Sequence, residues 1–326
     1  MTYSLRKITL TTLMRGRADA SITRSPESET EELDEVYLHT VTIHGREFHK
    51  FSIDNRIAFE PVDDGLRRST DFSTDTPTSQ NTRLRLWRWF LGGRCGYTIS
   101  RLQSEYRRAE SVAHTEADKF GVIKVIGLDI SPHKNPDDMP ENLWLQVDDL
   151  NRRFTFPSNH FDLVHSSLLA TGINRARWTS YLADIKRVLK PGGWVQLIEI
   201  YFNVQSDNGS LTEEHALRRW STQFLRSYEQ TKDLRVGTRL NNLLKDAGFE
   251  EVDARMIPLP LSGWSNDPRM RAIGMLNREN VNKLLPSLAL YPLTQISRMP
   301  LQDFQQLITQ ARQEAETASL KAYFPL

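Results

Sequence analysis

The chain has 326 residues, of which 39% are hydrophobic and 25% are charged, with a formal net charge of +1; this fits a globular protein with one large domain or a domain with extensions. A balanced charge argues against a dedicated nucleic-acid surface, and no run approaches the roughly 18–20 apolar residues that cross a membrane. The single Cys95 excludes an internal disulfide and a cysteine-based zinc site. We therefore expect a cytoplasmic or nuclear protein. From its charge and hydropathy we expect no nucleic-acid partner and no membrane partner.

The N-terminal quarter of the chain mixes polar stretches with one short regular segment. Residues 1–35 are rich in Ser, Thr and Glu and predict a disordered tail. Residues 36–53 alternate in the manner of a short hairpin or an entry segment. Residues 62–82 are rich in Ser, Thr, Asp and Pro, which compete with regular backbone pairing, and they predict a loop.

Three histidines recur at intervals of five residues in this region: His39, His44 and His49. Residues five apart point to opposite faces of a strand and lie about 140° apart on a helix, so the three side chains do not converge locally. We therefore expect a polar hairpin here and no metal site.

The central third alternates between strands and helices. Four apolar runs predict strands: VIKVIGLDIS (122–131), NLWLQVDDL (142–150), FDLVHSS (161–167) and GWVQLIEIYF (193–202). A helix over 175–190 places five apolar residues on one face: Trp178, Tyr181, Leu182, Ile185 and Leu189. It ends at Pro191-Gly192-Gly193. Strands separated by helices predict an α/β fold with a doubly wound, mainly parallel sheet.

The C-terminal third is predicted to be mainly helical. Helices are expected over 211–230, from 239 to a stop at Gly248, and around 279–292 and 301–324, with a strand after Gly248. The chain is thereby divided into a tail (1–35), an N-terminal extension (36–94), a core (95–258) and a helical cap region (259–326).

Acidic residues close two of the predicted strands. Ligands bind at the carboxyl ends of strands in doubly wound sheets. Asp129 ends the first strand, where a carboxylate can accept two hydrogen bonds from the vicinal hydroxyls of a ribose. Asp148 and Asp149 end the second, where a carboxylate can accept from the exocyclic amine of adenine, and Leu150 follows them. Each feature alone is weak, because an Asp after a strand is more often a cap or turn residue.

The order and spacing of these motifs resemble the class I S-adenosylmethionine-dependent methyltransferases. The matching segments are "VIGLDISP", "VDDL…FTFPSNHFDLVH" and "IKRVLKPGGWVQLIE". The flanking segments "HGREFHKF" and "LPLSGWSNDPRMRAIGMLNRENVNKLLPSLALYP" are similar to the fungal LaeA-like group, and the resemblance extends over about residues 36–324. It implies a Rossmann-like, seven-stranded sheet and S-adenosylmethionine as the cofactor, with Asp129, Asp148, Asp149 and Leu150 binding it. It also implies methyl transfer to a small molecule in fungal secondary metabolism, or regulation of that pathway with a regulatory protein partner.

Two parts of the family pattern are not recognisable. The pattern needs a strand ending in a glycine-rich loop upstream of Val122, but only about half a dozen residues separate Arg94 from the first helix, where around fifteen are needed. In one interpretation Gly92, Gly93 and Gly96 form a degenerate loop that binds the cofactor weakly. In the other, which we favour, the first strand and its loop are absent through divergence or a misassigned exon boundary. The last antiparallel edge strand is also expected to be absent.

The residues that would perform or assist the reaction are less evident. His165 follows FDLV, where a general base could lie, although transfer from a sulfonium needs chiefly in-line positioning. Trp220 and Phe224, four residues apart on a predicted helix, are candidates to line the acceptor site. The alternative function is a catalytically impaired binding or regulatory protein that lacks the glycine-rich loop. A nicotinamide-dependent dehydrogenase is disfavoured, because G-x-G-x-x-G is absent and LKPGG is present.

Overall fold

The structure, a computed structural model, describes residues 9–11, 30–63, 125–134 and 143–326. Its N-terminal elements are β1 (Thr9–Thr11), β2 (Thr30–Glu32), β3 (Thr40–Ile43), β4 (Arg46–His49) and α1 (Lys50–Asp54). The central elements are β5 (Val125–Asp129), β6 (Leu143–Val147), β7 (Phe161–Ser167), α2 (Trp178–Val188) and β8 (Leu189–Ile198). The C-terminal elements are β9 (Gln205–Ser206), α3 (Ala216–Tyr228), α4 (Leu240–Asp246), β10 (Pro258–Pro260), α5 (Pro268–Tyr291), α6 (Leu301–Glu316) and β11 (Ala322–Pro325).

Two parallel strand pairs form the centre of the described part of the chain. β5 pairs with β6 from Val125 opposite Leu143 onward, and β7 pairs with β8. All four predicted strands are present, and the α/β class with parallel pairing is confirmed. Within the described residues the two pairs belong to separate hydrogen-bonded sheets. The predicted loss of the first strand, together with Gly92, Gly93 and Gly96, falls on residues outside the described ranges.

A further strand pair lies beside β6. β1 runs parallel to β6 and antiparallel to β2, so that the order in this sheet is β2-β1-β6-β5. Both added strands lie within residues 1–35, for which the sequence predicts a disordered tail. Most of that segment is outside the described ranges, and the proposed domain boundaries stay a prediction.

The segment after residue 36 forms the predicted hairpin. β3 and β4 are antiparallel, with Thr40 opposite His49, and a two-residue turn joins them. His44 and Gly45 have φ of 50° and 78°, the left-handed pair that favours the right-handed twist of a hairpin. The chain then folds back on β4, because Val62 N–H donates to the carbonyl of Glu47 over 2.7 Å.

Helix α2 and its following turn agree with the sequence pattern. The five residues predicted on its apolar face are all buried, but the last of them, Leu189, is the first residue of β8. The predicted Pro-Gly-Gly turn lies within β8, where the register with β7 shifts between Leu189 and Trp194. Gly192 has φ of 76° there. A Cβ on Gly193 would lie 2.9 Å from the carbonyl oxygen of Lys190. The two glycines are therefore required by backbone conformation and close packing.

The expected absence of a last antiparallel strand is wrong. β11 lies between β10 and β9 and is antiparallel to both. Ala322 and Phe324 point into the core, but an alternation of four residues is too short to be identified as a strand from sequence. Helix α5 also begins earlier than predicted, at Pro268, where the carboxylate of Asp267 caps it by accepting from Met270 N–H over 2.8 Å.

The main core lies among α3, α5 and α6. Trp220 and Phe224 are fully buried, their rings are stacked at 5.0 Å, and Trp220 Nε1 donates to the carbonyl of Leu285. The expectation that they line an acceptor site is wrong, because this face of α3 packs against α5 and α6. Of the helices in the described ranges, none is both long and apolar enough to cross a membrane.

Candidate functional site

A cavity opens where the parallel strands end. The empty space between its walls measures about 680 Å³, a volume that includes open solvent at its mouth. Its walls are the carboxyl ends of β5 and β6, residues 168–173 after β7, and residues 49–62 of the N-terminal segment. We call these last two the cavity loop and the roof segment. This is the location at which parallel α/β sheets bind ligands.

Asp129 is the last residue of β5 and lines the cavity. Its Oδ1 accepts the backbone N–H of Ser131 over 2.9 Å, so the carboxylate also stabilises the turn that follows the strand. The turn contact keeps the side chain in one orientation at the strand end. Asp129 therefore combines the two roles that the sequence left open, a turn residue and a cavity carboxylate.

Asp148 and Asp149, which follow β6, differ in their surroundings. Asp149 Oδ1 accepts from the backbone N–H and the side-chain Nδ2 of Asn151, both over 3.0 Å, so it is engaged in a turn. Burial raises the pKa of Asp148 to about 6, although the Asp149 N–H opposes this rise. Both carboxyl groups and Leu150 line the cavity. Asp148 is thus the more available of the two carboxylates for a ligand.

The buried Lys232 donates hydrogen bonds at the C-terminal end of the cavity loop. Lys232 is 1% exposed, and its Nζ donates to the carbonyl of Gly172 and to Oδ1 of Asn174, both over 2.8 Å. Asn151 Nδ2 donates to the same Gly172 carbonyl over 3.0 Å. Burial lowers the pKa of Lys232 to about 8, against the opposing charges of Glu60 and Asp149. The turn after β6, the cavity loop and the segment after α3 are thereby joined.

Replacing Lys232 by Met should detach this support. Two hydrogen bonds from a charged donor are lost, so the free energy of unfolding should fall by about 1–3 kcal/mol. Urea unfolding monitored by tryptophan fluorescence measures it. Lys245→Met is the matched control, since Lys245 is exposed. Equal stability of the two variants would contradict the supporting role of Lys232.

The other end of the cavity loop is held by Glu199, directly after β8. Its two carboxylate oxygens accept the backbone N–H groups of Leu169 and Ala170 over 2.8 and 3.1 Å. Leu168, the first residue of the loop, has φ of 57°, an uncommon conformation for a residue with a side chain. Burial raises the pKa of Glu199 to about 8, although the two N–H bonds oppose the rise.

The roof segment brings residues that the sequence did not indicate. His49 Nδ1 and Ser52 Oγ are 2.7 Å apart, and both residues line the cavity with Glu60. His49 and His133 have ring centroids 5.3 Å apart. The predicted extension is therefore a wall of the site. In the sequence, the one indication that this segment contributes to a site is Glu60, an isolated acid in the apolar run IAFEPV (57–62).

His165 lies elsewhere. It is in the middle of β7, and its Nδ1 is 3.0 Å from Oε1 of Gln196 on β8. It is not among the residues that line the cavity, because side chains on a strand alternate between faces. Its suggested role as a general base gains no support from this position.

The charge of the cavity is strongly one-sided. Four carboxyl groups line it, from Glu60, Asp129, Asp148 and Asp149, and no Lys or Arg is among its described lining residues. Such a wall repels phosphate groups and attracts cations. S-adenosylmethionine carries a sulfonium, an ammonium and one carboxylate, so the donor set fits that cofactor and disfavours nucleotides with a pyrophosphate.

Comparison with known proteins gives matches of the same kind. A family model described as a methyltransferase domain matches residues 110–254. A protein-methionine methyltransferase, laeA of Emericella nidulans, is 26% identical over 209 residues, which are 64% of this chain and 55% of that protein. The secondary metabolism regulator LAE1 of Cochliobolus heterostrophus is 28% identical over 183 residues, covering 55% of this chain and 59% of the relative.

The chain thus spans little more than half the length of these relatives. Among solved structures, a putative sarcosine dimethylglycine methyltransferase from Galdieria sulphuraria is 14% identical, with a TM-score of 0.34 over 81% of this chain and 96% of that one. The methyltransferase domain implies S-adenosylmethionine as its cofactor. The chain is thus similar to the LaeA-like secondary metabolism regulators, and its residues 110–254 match a methyltransferase domain.

Proposed function

We propose that this chain binds S-adenosylmethionine in the cavity and catalyses methyl transfer to a small molecule of fungal secondary metabolism, or serves that pathway as a regulator. The observation that carries the proposal is the acid-rich cavity at the strand ends, with Asp129 after β5 and Asp148 after β6. The methyltransferase family match supports it. The names of the relatives support the link to secondary metabolism.

In this proposal each carboxylate has one task. Asp129 accepts hydrogen bonds from the ribose hydroxyls, Asp148 accepts from the exocyclic amine of adenine, and Leu150 packs against the ring. Asp149 holds the turn through Asn151. The chemistry that S-adenosylmethionine supplies is an electrophilic methyl group on a sulfonium. The protein's contribution is to orient and to exclude water, and no general base is required.

The methyl acceptor is proposed to be a small molecule that reaches the cavity beside the roof segment, which lines one of its sides. The Emericella nidulans relative is named a protein-methionine methyltransferase, so the acceptor of that relative is a protein. Incubating the chain with S-adenosylmethionine radiolabelled in the methyl group, together with a fungal extract, separates the two classes. Label in a new small-molecule product that is separated from S-adenosylmethionine supports the proposal, and transferred label confined to protein contradicts it.

Calorimetric titration tests cofactor binding directly. We expect S-adenosylmethionine to bind with a dissociation constant on the order of 10 µM, while ATP and NAD⁺ do not bind at millimolar concentration because the cavity carboxylates repel their phosphates. Absence of heat with millimolar S-adenosylmethionine would refute the function. The alternative, a catalytically impaired binding or regulatory protein that kept the fold and lost the cofactor, predicts that absence of heat.

A further inference from the structure

Glu60 is the one carboxylate that the roof segment brings to the cavity. It is 5% exposed. Its Oε2 accepts the backbone N–H of Phe59 over 3.1 Å, whereas Oε1 is buried and accepts from no described residue. A buried carboxylate oxygen without a donor is unfavourable, and such atoms in native proteins call for an explanation.

The backbone around Glu60 is firmly anchored. The ring of Phe59 stacks on Tyr291 with centroids 4.8 Å apart and contacts Tyr228 at 5.7 Å. Pro61 forms a bridge to Phe48 of β4. These contacts hold residues on both sides of Glu60, so its carboxylate cannot readily turn to solvent.

The lysine that interacts electrostatically with Glu60 donates its described hydrogen bonds to other groups. Lys232 interacts with it electrostatically, but Lys232 Nζ donates to Gly172 and Asn174, and the two side chains form no ion pair among the described contacts. The unliganded fold therefore leaves an acceptor on the cavity wall, beside the loop that Lys232 supports.

We propose that Glu60 is a cofactor-binding residue supplied by the roof segment, and that its Oε1 accepts a hydrogen bond from a nitrogen donor of the adenosyl cofactor. This inference rests on the proposed function. A carboxylate oxygen accepts from N–H and O–H groups, and the ribose hydroxyls are already assigned to Asp129, which leaves the N–H groups of the ligand. Two qualify, the exocyclic amine of adenine and the α-ammonium of the methionine portion.

The test is calorimetric binding of S-adenosylmethionine, S-adenosylhomocysteine and adenosine to variants of the full chain. Glu60→Leu should weaken the binding of S-adenosylmethionine about tenfold or more, since a charge-assisted hydrogen bond is lost. Glu60→Gln should lose less, because its amide oxygen still accepts. The matched control is Glu47→Gln, which removes an equal charge from an exposed position of β4 that does not line the cavity.

The three ligands identify the donor. A loss that extends to adenosine assigns the contact to the adenosine portion, in which the adenine amine is the nitrogen donor. A loss confined to the two compounds with an amino-acid portion assigns it to the ammonium. If the wild-type chain binds none of the three, the proposed function itself fails.

Thermal unfolding of the unliganded protein separates a binding role from a structural one. Glu60→Leu should unfold at the same or a higher temperature than the wild type, because the variant lacks an unpartnered buried carboxylate. The proposal is overturned if Glu60→Leu binds as the wild type does. It is also overturned if the melting temperature and the affinity of Glu60→Leu fall together.

Discussion

The Asp129→Ala variant is expected to lose S-adenosylmethionine affinity by roughly a hundredfold, the equivalent of about 3 kcal/mol. The reason is the proposed bidentate contact, in which one carboxylate at the end of β5 accepts from both ribose hydroxyls. Titration calorimetry at fixed ionic strength measures the loss. The effect should be among the largest of any single change in the cavity, because no second described residue at the end of β5 offers a carboxylate.

The turn contact of Asp129 has to be separated from the ligand contact. Asp129→Asn keeps an oxygen for the Ser131 N–H but loses the negative charge, so it should preserve stability while still losing affinity. Asp162→Ala, at an exposed position of β7, should change neither. If Asp129→Asn binds as the wild type does and Asp129→Ala loses stability and affinity together, then Asp129 is a turn residue only.

Replacing Glu199 by Ala is expected to lower the free energy of unfolding by about 2–5 kcal/mol. Two buried backbone N–H groups, of Leu169 and Ala170, would lose their acceptor. These N–H groups belong to the two residues that follow Leu168, whose φ is 57°. Urea unfolding gives the stability change. Cofactor affinity should fall with it, since the loop is a wall of the cavity.

The stability that Glu199 contributes should depend on pH in a defined direction. Burial raises its pKa from the ordinary value near 4.5 to about 8, so the folded chain holds a proton that the unfolded chain releases. This contribution is complete below about pH 4.5 and is lost as the pH rises through about 8. Glu199→Gln cannot titrate.

The difference in unfolding free energy between the wild type and Glu199→Gln should therefore shrink between about pH 5 and about pH 8. Urea unfolding of both proteins across that range measures the difference. A difference that grows with pH would show instead that the ionised carboxylate is the stabilising form.

These predictions describe a site assembled from three separate parts of the chain. The strand ends contribute Asp129 and Asp148, the loop after β7 contributes a wall that Lys232 and Glu199 hold from two sides, and the roof segment contributes Glu60. The described lining residues include four acidic side chains and no Lys or Arg. We therefore expect charge, more than shape, to determine which ligand binds.

Local patterns in the sequence predicted most of the elements. The four central strands and helix α2 with its apolar face were found, because each carries its periodicity within a single run of residues. Asp129 ends β5 and Asp148 directly follows β6. The order of these motifs along the chain made the family resemblance recognisable. Short or unmarked elements were missed for the same reason: β11 has four residues, and the first turns of α5 carry no clear apolar period.

The sequence by itself determined the fold class, the order of its strands and the two carboxylates at their ends, since these depend on local periodicity and on residues that directly follow a strand. Only the tertiary structure decided which distant residues meet there. Glu60 and Lys232 lie 172 positions apart in the numbering, and they interact only because Phe59 packs against Tyr228 at the end of α3. Likewise, the spacing of Trp220 and Phe224 shows that they share a helix face but not what that face contacts. The packing of α5 and α6 against it places both residues in the core.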